Sequence, residues 1–139
     1  MELNGIVQSL ENKIILVTGS TGYLSKLFVE KLLRVQPNVK HLFLLLRAVD
    51  ALSPTQRLHK DVIGKEVFRV LREEHGGGFD SFISKKVTPI FGDVSLENLG
   101  IKDSELEKRL HKEINFVAHF AATTNFHERY LLNEFIWSS

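Results

Sequence analysis

The sequence predicts an α/β protein built on an incomplete doubly wound parallel sheet, and three observations carry that prediction. Short apolar runs of strand length recur at Ile14 to Val17, His41 to Leu46, Val87 to Asp93 and Asn115 to Ala122, as strands buried in a sheet require. Segments of helical composition separate them, so the strands are joined by crossovers and run parallel. The first run stops at the turn cluster Thr18-Gly19-Ser20-Thr21-Gly22, and a helical periodicity follows at once. Strand, glycine turn and amphipathic helix in that order form the first half of a βαβ unit.

In chain order, residues 1–12 read as a lead-in in which Ile6, Val7 and Leu10 suit a short helix. After the glycine turn, Leu24, Leu27, Phe28, Leu32 and Val35 recur at three- and four-residue spacing, with Lys26, Glu30, Lys31 and Arg34 between them. Glu30 and Arg34 form an i, i+4 pair in the favourable order. The helix is expected to end by Gln36, because Pro37 disfavours helical backbone before it. His41 to Leu46 is short enough to read as strand rather than buried helix.

Residues 48–86 do not read as an ordinary crossover. Leu58 and Val62 share one side of a helical segment, Ile63, Val67, Val70 and Leu71 roughly the opposite one, and Gly64 between them predicts two short helices or a bend. The segment from about 51 to 78 is thus a helical insertion after strand two. Gly76-Gly77-Gly78 follows no strand and reads as a flexible loop, not a phosphate cradle. Pro89 in the third strand argues for an edge position or a late start. Leu96 and Leu99 suggest a tight turn, and Ser104-Glu105-Leu106-Glu107 a capping box opening a helix through Ile114, with Leu106 and Leu110 inward. A last helix is expected from Glu128 to Phe135.

Composition bounds the functions open to such a chain. At 139 residues, 43% hydrophobic and 25% charged, it suits one globular domain, residues 1–139. A net charge of +1 gives no case for a nucleic-acid partner. The absence of cysteine excludes disulfides and thiolate metal sites, and the histidines show no metal-ligand spacing, so no metal is expected. The longest uninterrupted apolar run, Leu42 to Leu46, cannot span a bilayer. Neither a signal nor a transit peptide is visible at the N-terminus, which points to the cytosol or the endoplasmic-reticulum surface.

Four strands linked in this way predict the spatial order 3-2-1-4, the N-terminal half of a Rossmann fold, whose ligands lie beyond the carboxyl ends of the strands. The glycine turn lies there. Gly19 lets the chain turn sharply, and Gly22, lacking a Cβ, lets a pyrophosphate approach the amides at the helix start, where the helix dipole favours negative charge. Gly19, Thr21, Gly22, Tyr23 and Leu24 are the candidate diphosphate cradle, against the plain alternative of an ordinary strand-to-helix turn. Arg47 follows strand two, where an acidic residue would bind the ribose of NAD; an Arg instead suits the 2′-phosphate of NADPH, unless it is merely a solvated side chain. Asp93 is placed to meet an adenine amino group, with a turn or helix-cap aspartate as the alternative. Ala121 and Ala122 are small enough to let ribose and nicotinamide lie on the backbone, or simply pack in the core. His119 reads as a hydrogen-bonded core histidine.

The spacing G-x-x-G-x-x-S, with Ser25 in the third small position, resembles the T-G-x-x-G-x-x-G turn of extended short-chain dehydrogenases/reductases. Gly19 to Lys26, Glu30 to Arg34, Leu44 to Ala48, Gly64 to Leu71 and Ala121 to Phe126 together resemble plant alcohol-forming, male-sterility-type fatty acyl-CoA reductases, nearly to Tyr130. That resemblance implies an NADPH-dependent reduction of long-chain acyl-CoA, through an aldehyde, to a primary alcohol feeding wax, cutin or suberin synthesis. The family's catalytic pair is a Tyr with a Lys four residues later. Here Tyr23 is followed at that spacing by Leu27 and Tyr130 by Glu134, so no catalytic residue is assigned and the chain as it stands is expected to be inactive.

His127 replaces a usual acidic residue, and from about Leu131 the text leaves the family pattern, as in an alternatively spliced product. A strand four without its next neighbour would leave an apolar edge open to self-association. Another enzyme on the same scaffold, such as a thioester reductase or a sugar-nucleotide epimerase, and a non-catalytic NADPH-binding isoform remain as alternatives.

Overall fold

The computed structural model describes residues 8–48 and 51–120. Within them four parallel strands, β1 (Ile14–Thr18), β2 (His41–Leu46), β3 (Val87–Phe91) and β4 (Phe116–His119), form one sheet in the order β3-β2-β1-β4. Every strand that the sequence predicts is present, and Pro89 does sit on an edge strand. Ala121, Ala122, His127, Tyr130, the helix expected from Glu128 to Phe135, and Ile6 and Val7 lie outside the described residues; Leu10 is buried.

The central strands are buried on both faces because side chains alternate across a sheet. Ile15, Val17, Leu42, Leu44 and Leu46 pack on one side beneath α1 (Tyr23–Val35). Ile14, Leu16, Phe43 and Leu45 pack on the other against Leu110 of α5 (Ser104–Glu113). Each fully buried leucine or isoleucine contributes about 1.5–3 kcal/mol. On the outer side β4 exposes Phe116 and Val117, at 44% and 61%.

Helix α1 ends where the sequence places its stop, with Gln36 as its C-cap, and Arg34 Nε lies 3.0 Å from Glu30 Oε2. Its buried stripe is wider than the periodicity indicates. Val29 and Leu33 are buried along with Phe28 and Leu32, and even Glu30 and Lys31 are covered. The reason lies in the insertion, which packs over the helix face that would otherwise meet solvent. Burial, and then the neighbouring Arg34, lower the Lys31 pKa against the opposing pull of Glu30.

The insertion itself is α2 (Pro54–Leu58), a π-helical turn His59–Ile63, a 3₁₀ turn Glu66–Phe68 and α3 (Arg69–His75). A capping box on Ser53 and Gln56, with Pro54 in the first helical turn, starts α2. Gly64 ends the π turn: its N–H reaches His59 O at 2.8 Å, and a Cβ there would lie 2.5 Å from the same oxygen. The two opposed apolar stripes of the sequence analysis are corrected here. Leu58, Val62, Ile63, Phe68 and Leu71 all enter one core, whereas Val70 is exposed. The π turn adds a residue per turn and Gly64 breaks the helix, so the angular phase restarts between the halves.

The triple glycine is a 3₁₀ turn, not a loose loop, and it leads into a helix the sequence analysis does not anticipate, α4 (Phe79–Lys86). Phe79 and Ile83 are buried on its inner face, while Asp80 in the first turn and Lys85 and Lys86 in the last complement its dipole. Helix α5 is also capped differently. Asp103, not Ser104, is the N-cap, its Oδ1 accepting from Glu105 N at 3.0 Å and Leu106 N at 3.3 Å. Asp103→Ala is therefore expected to destabilise the fold by about 1 kcal/mol. Ser104→Ala, in contrast, should stay within about 0.5 kcal/mol of the parent. Urea denaturation of both variants reads the difference, and equal midpoints would return the cap to Ser104.

Candidate functional site

Parallel register brings the four strand ends together: Thr18 pairs with His119, and Leu46 with Phe91. The segments that leave them are the glycine turn, Arg47, Gly92-Asp93 and Phe120. The chain steps outward from β1 to β2 to β3 and then crosses back to β4, so the order reverses between β1 and β4. Ligands of open α/β sheets bind at such a switch point.

At the turn, Gly19 has φ +69°, and a Cβ on it would lie 2.5 Å from Phe120 O. The Ser20 hydroxyl donates to Val17 O at 3.1 Å, and Gly22 N–H donates to Gly19 O at 3.0 Å. The amide of Gly22 is thereby committed within the turn. Gly22 is the N-cap of α1; no side chain caps this helix, and no acidic residue stands in its first turn. The leading N–H groups of a helix have no intrahelical acceptor, so those of Tyr23 and Leu24 suit an anion. Thr21 and Tyr23 are exposed beside them. Ser25 is buried, and its Oγ has no hydrogen-bond partner among the described residues.

The second part of the site is a cleft of about 420 Å³ between the exits of β2 and β3. Arg47 Nη2 faces Asp93 Oδ2 across it at 3.5 Å, with the Arg47 side chain 75% exposed. Asp93 Oδ1 accepts from Ser95 N at 2.9 Å and Ser95 Oγ at 2.7 Å. These two bonds, and then the Arg47 charge, hold the Asp93 carboxyl below the ordinary carboxylate range. Asp93 is thus a turn aspartate with one oxygen engaged by Ser95 and the other turned to the cleft. Lys102 also lines this space. Sequence reasoning missed it because it lies eleven residues beyond the end of β3, after a loop whose path no pattern discloses.

Arg57 is another residue whose role the sequence concealed. Its Nη1 donates to Arg47 O at 2.5 Å, and its Nε lies 2.7 Å from Asp61 Oδ2 in an ion pair whose N–H does not point at the carboxylate. The insertion thereby fixes the backbone from which Arg47 projects. His119 is hydrogen-bonded as expected, its Nδ1 2.5 Å from Thr18 Oγ1, but it is exposed and not a core residue.

A larger cleft, about 620 Å³, opens at the opposite ends of the strands and is lined by His41, Thr88 and Arg109 among others. It lies at the amino ends, away from the free helix amides, and does not compete as the site. Burial lowers the His41 pKa there, with a smaller opposing effect of the Lys85 backbone.

An open parallel sheet with a glycine turn and an uncapped helix at its switch point defines a nucleotide-binding protein of the doubly wound class. The sequence refines this. The NAD-binding family model described as "Male sterility protein" matches residues 17–132, and the chain belongs to that family. A nicotinamide dinucleotide is accordingly its cofactor class.

The chain is 52% identical over 129 residues to "Alcohol-forming fatty acyl-CoA reductase" of Simmondsia chinensis, covering 93% of this chain and 26% of that one. It is 54% identical over 131 residues to "Probable fatty acyl-CoA reductase 5" of Arabidopsis thaliana, covering 94% and 26%. The chain thus spans about a quarter of the length of the curated relatives it matches. Among solved structures it resembles the reductase (R) domain of a non-ribosomal peptide synthetase from Mycobacterium tuberculosis, with a TM-score of 0.62 and 25% identity. That match covers 88% of this chain and 28% of the other.

Proposed function

We propose that the chain is the cofactor-binding part of an NADPH-dependent fatty acyl-CoA reductase that converts long-chain acyl-CoA to a primary alcohol. The observation that carries this reading is the uncapped, acid-free start of α1 behind Gly19 and Gly22, with the Arg47 guanidinium at the exit of the neighbouring strand β2. The names of the relatives supply the substrate class.

The residues present fit the cofactor. The amides of Tyr23 and Leu24 take the diphosphate, and Gly19 and Thr21 shape the turn that admits it. Gly22 offers no Cβ to obstruct it. Asp93 Oδ2 accepts from the adenine amino group, and Arg47 meets the 2′-phosphate. Ala121 and Ala122, outside the described residues, are proposed from their small size alone to admit the ribose and nicotinamide. When bound, the cofactor supplies hydride. In the proposed reaction two hydrides and two protons would take the thioester to aldehyde and free thiol, and the aldehyde to alcohol. The tyrosine that donates a proton to the alkoxide in this family is followed by a Lys four residues on; neither Tyr23 nor Tyr130 has that neighbour, so the proton donor of the proposed reaction is assigned to no residue of these 139. The cytosol or the endoplasmic-reticulum surface suits that activity; no helix among the described residues is long and apolar enough to cross a membrane.

Calorimetric titration tests the cofactor reading. The folded chain is expected to bind NADPH at least about tenfold more tightly than NADH, the increment of one charge-assisted contact. Folded chain that binds neither dinucleotide overturns the proposal. A second reading, reduction of carrier-bound thioesters, is favoured by the likeness to the peptide-synthetase reductase domain. Supplying acyl-CoA and acyl-carrier thioester to the protein together with its catalytic region separates the two.

A further inference from the structure

We propose that Lys102 is the second cation of the adenosine cleft and the residue that decides for a phosphorylated over an unphosphorylated ribose. This deepens the reading above and rests on it. Arg47 alone leaves the cleft electrically balanced, because its guanidinium faces Asp93 Oδ2 at 3.5 Å. The Asp93 carboxylate is kept ionised by the two Ser95 bonds, so its charge does not titrate away near neutral pH. A phosphomonoester carries roughly −1.5 to −2 at pH 7. Against it, an Arg–Asp pair presents a directional donor and little net attraction, and the aspartate repels.

Lys102 supplies the missing charge. It lines the same cleft, it is exposed, and no ion-pair or hydrogen-bond partner engages it among the described residues. The neighbouring acid, Asp103, makes no ion pair with it among the described residues; its Oδ1 accepts from the amides at the start of α5. With Lys102 included, the cleft holds two cations and one anion. The balance moves from neutral to +1, which is the difference a 2′-phosphate senses and a 2′-hydroxyl does not.

The backbone is built to put Lys102 there. Asn98, Leu99 and Gly100 take φ of +53°, +60° and +66° in succession, a conformation leucine adopts rarely. The run turns the chain back onto the end of β3, where Asp93 N–H donates to Leu99 O at 2.7 Å. A Cβ on Gly100 would lie 3.3 Å from Asp93 N and 3.1 Å from Leu96 Cδ1. Strain of this kind persists only where its surroundings hold it, and it gathers at ligand-binding segments. The loop closes on Asp93 itself, so the residue two positions beyond Gly100 emerges beside the Arg47–Asp93 pair.

The test measures dissociation constants of NADPH and NADH by calorimetry for the parent chain, Lys102→Ala and Lys102→Arg. Thermal melts confirm that each variant is folded. Lys102→Ala is expected to weaken NADPH about tenfold and leave NADH unchanged, whereas Lys102→Arg keeps the parent preference. Added salt should narrow the preference of the parent more than that of Lys102→Ala, because the contact is with an exposed charge. A parent that prefers NADPH and a Lys102→Ala variant that keeps the full preference would exclude Lys102 while the dinucleotide reading stands. Equal weakening of both cofactors would also overturn the specificity role. Binding of neither cofactor by the folded parent removes both inferences together.

Discussion

Gly19→Ala is expected to cost both stability and nucleotide binding. Two penalties coincide at this position. Its φ of +69° lies in the left-handed region, where a Cβ costs about 1–2 kcal/mol. The added methyl would also stand 2.5 Å from Phe120 O and 2.9 Å from Phe120 C, backbone atoms that cannot rotate away. Forcing β4 outward adds about 1–3 kcal/mol. The sum, about 2–5 kcal/mol, is a large share of the roughly 5–15 kcal/mol that holds a domain together.

Gly22→Ala separates the structural from the functional part of that loss. Its φ is −73°, and a Cβ there would touch only Gly19 O, at 3.3 Å. Replacing glycine by alanine at an N-cap costs about 0.5–1 kcal/mol. The methyl would nevertheless stand at the helix start where the diphosphate must lie, so NADPH binding should fall at least about tenfold, the weight of 1.4 kcal/mol. Urea denaturation and calorimetric titration of both variants read the two effects. An unshifted midpoint for Gly19→Ala would contradict the turn geometry. Undiminished NADPH binding by Gly22→Ala would remove the diphosphate from this turn.

Phe68→Ala is expected to be the most damaging single truncation in the insertion. Phe68 is fully buried, in one cluster with Leu32 and Leu33 of α1, Leu44 of β2 and Leu71 of α3. Removing a buried phenylalanine ring costs about 3–5 kcal/mol through lost burial and the cavity left behind. Two residues away, Val70 is 44% exposed, and Val70→Ala should change stability by less than about 0.5 kcal/mol. A Phe68→Ala chain with the parent's denaturation midpoint would show the insertion to be an appendage and not part of the core. The consequence reaches the site, because Arg57 of the same insertion holds the Arg47 carbonyl.

How much of this was legible follows from the kind of signal each element carries. The strands and α1 announce themselves because their periodicity runs undisturbed between strong stop signals: Gly19 and Gly22 before the helix, Pro37 after it. Helix α4 does not, since its eight residues give barely two turns and its N-cap, Gly78, offers no side chain. The insertion misleads for a different reason. A single π turn shifts the phase of everything after it, so Phe68 joined neither predicted stripe and Val70 joined the wrong one. The start of α5 was misread by one residue because Asp103 and Ser104 are both capable caps, and only the backbone angles choose between them. Around the candidate site, Gly19 and Arg47 could be placed because each directly follows a strand, and Gly22 because it opens the helix after the turn.

The sequence by itself determined the sheet, its 3-2-1-4 order and the turn at its switch point, because apolar runs of strand length, glycine position and helical crossovers are local or topological constraints. Only the tertiary structure decided that Glu30 and Lys31 are covered, that His119 is exposed, and that Lys102 stands beside Arg47 and Asp93. Those facts depend on which surfaces the insertion and the left-handed loop bring together, and distance through space leaves no mark on the spacing of residues along a chain.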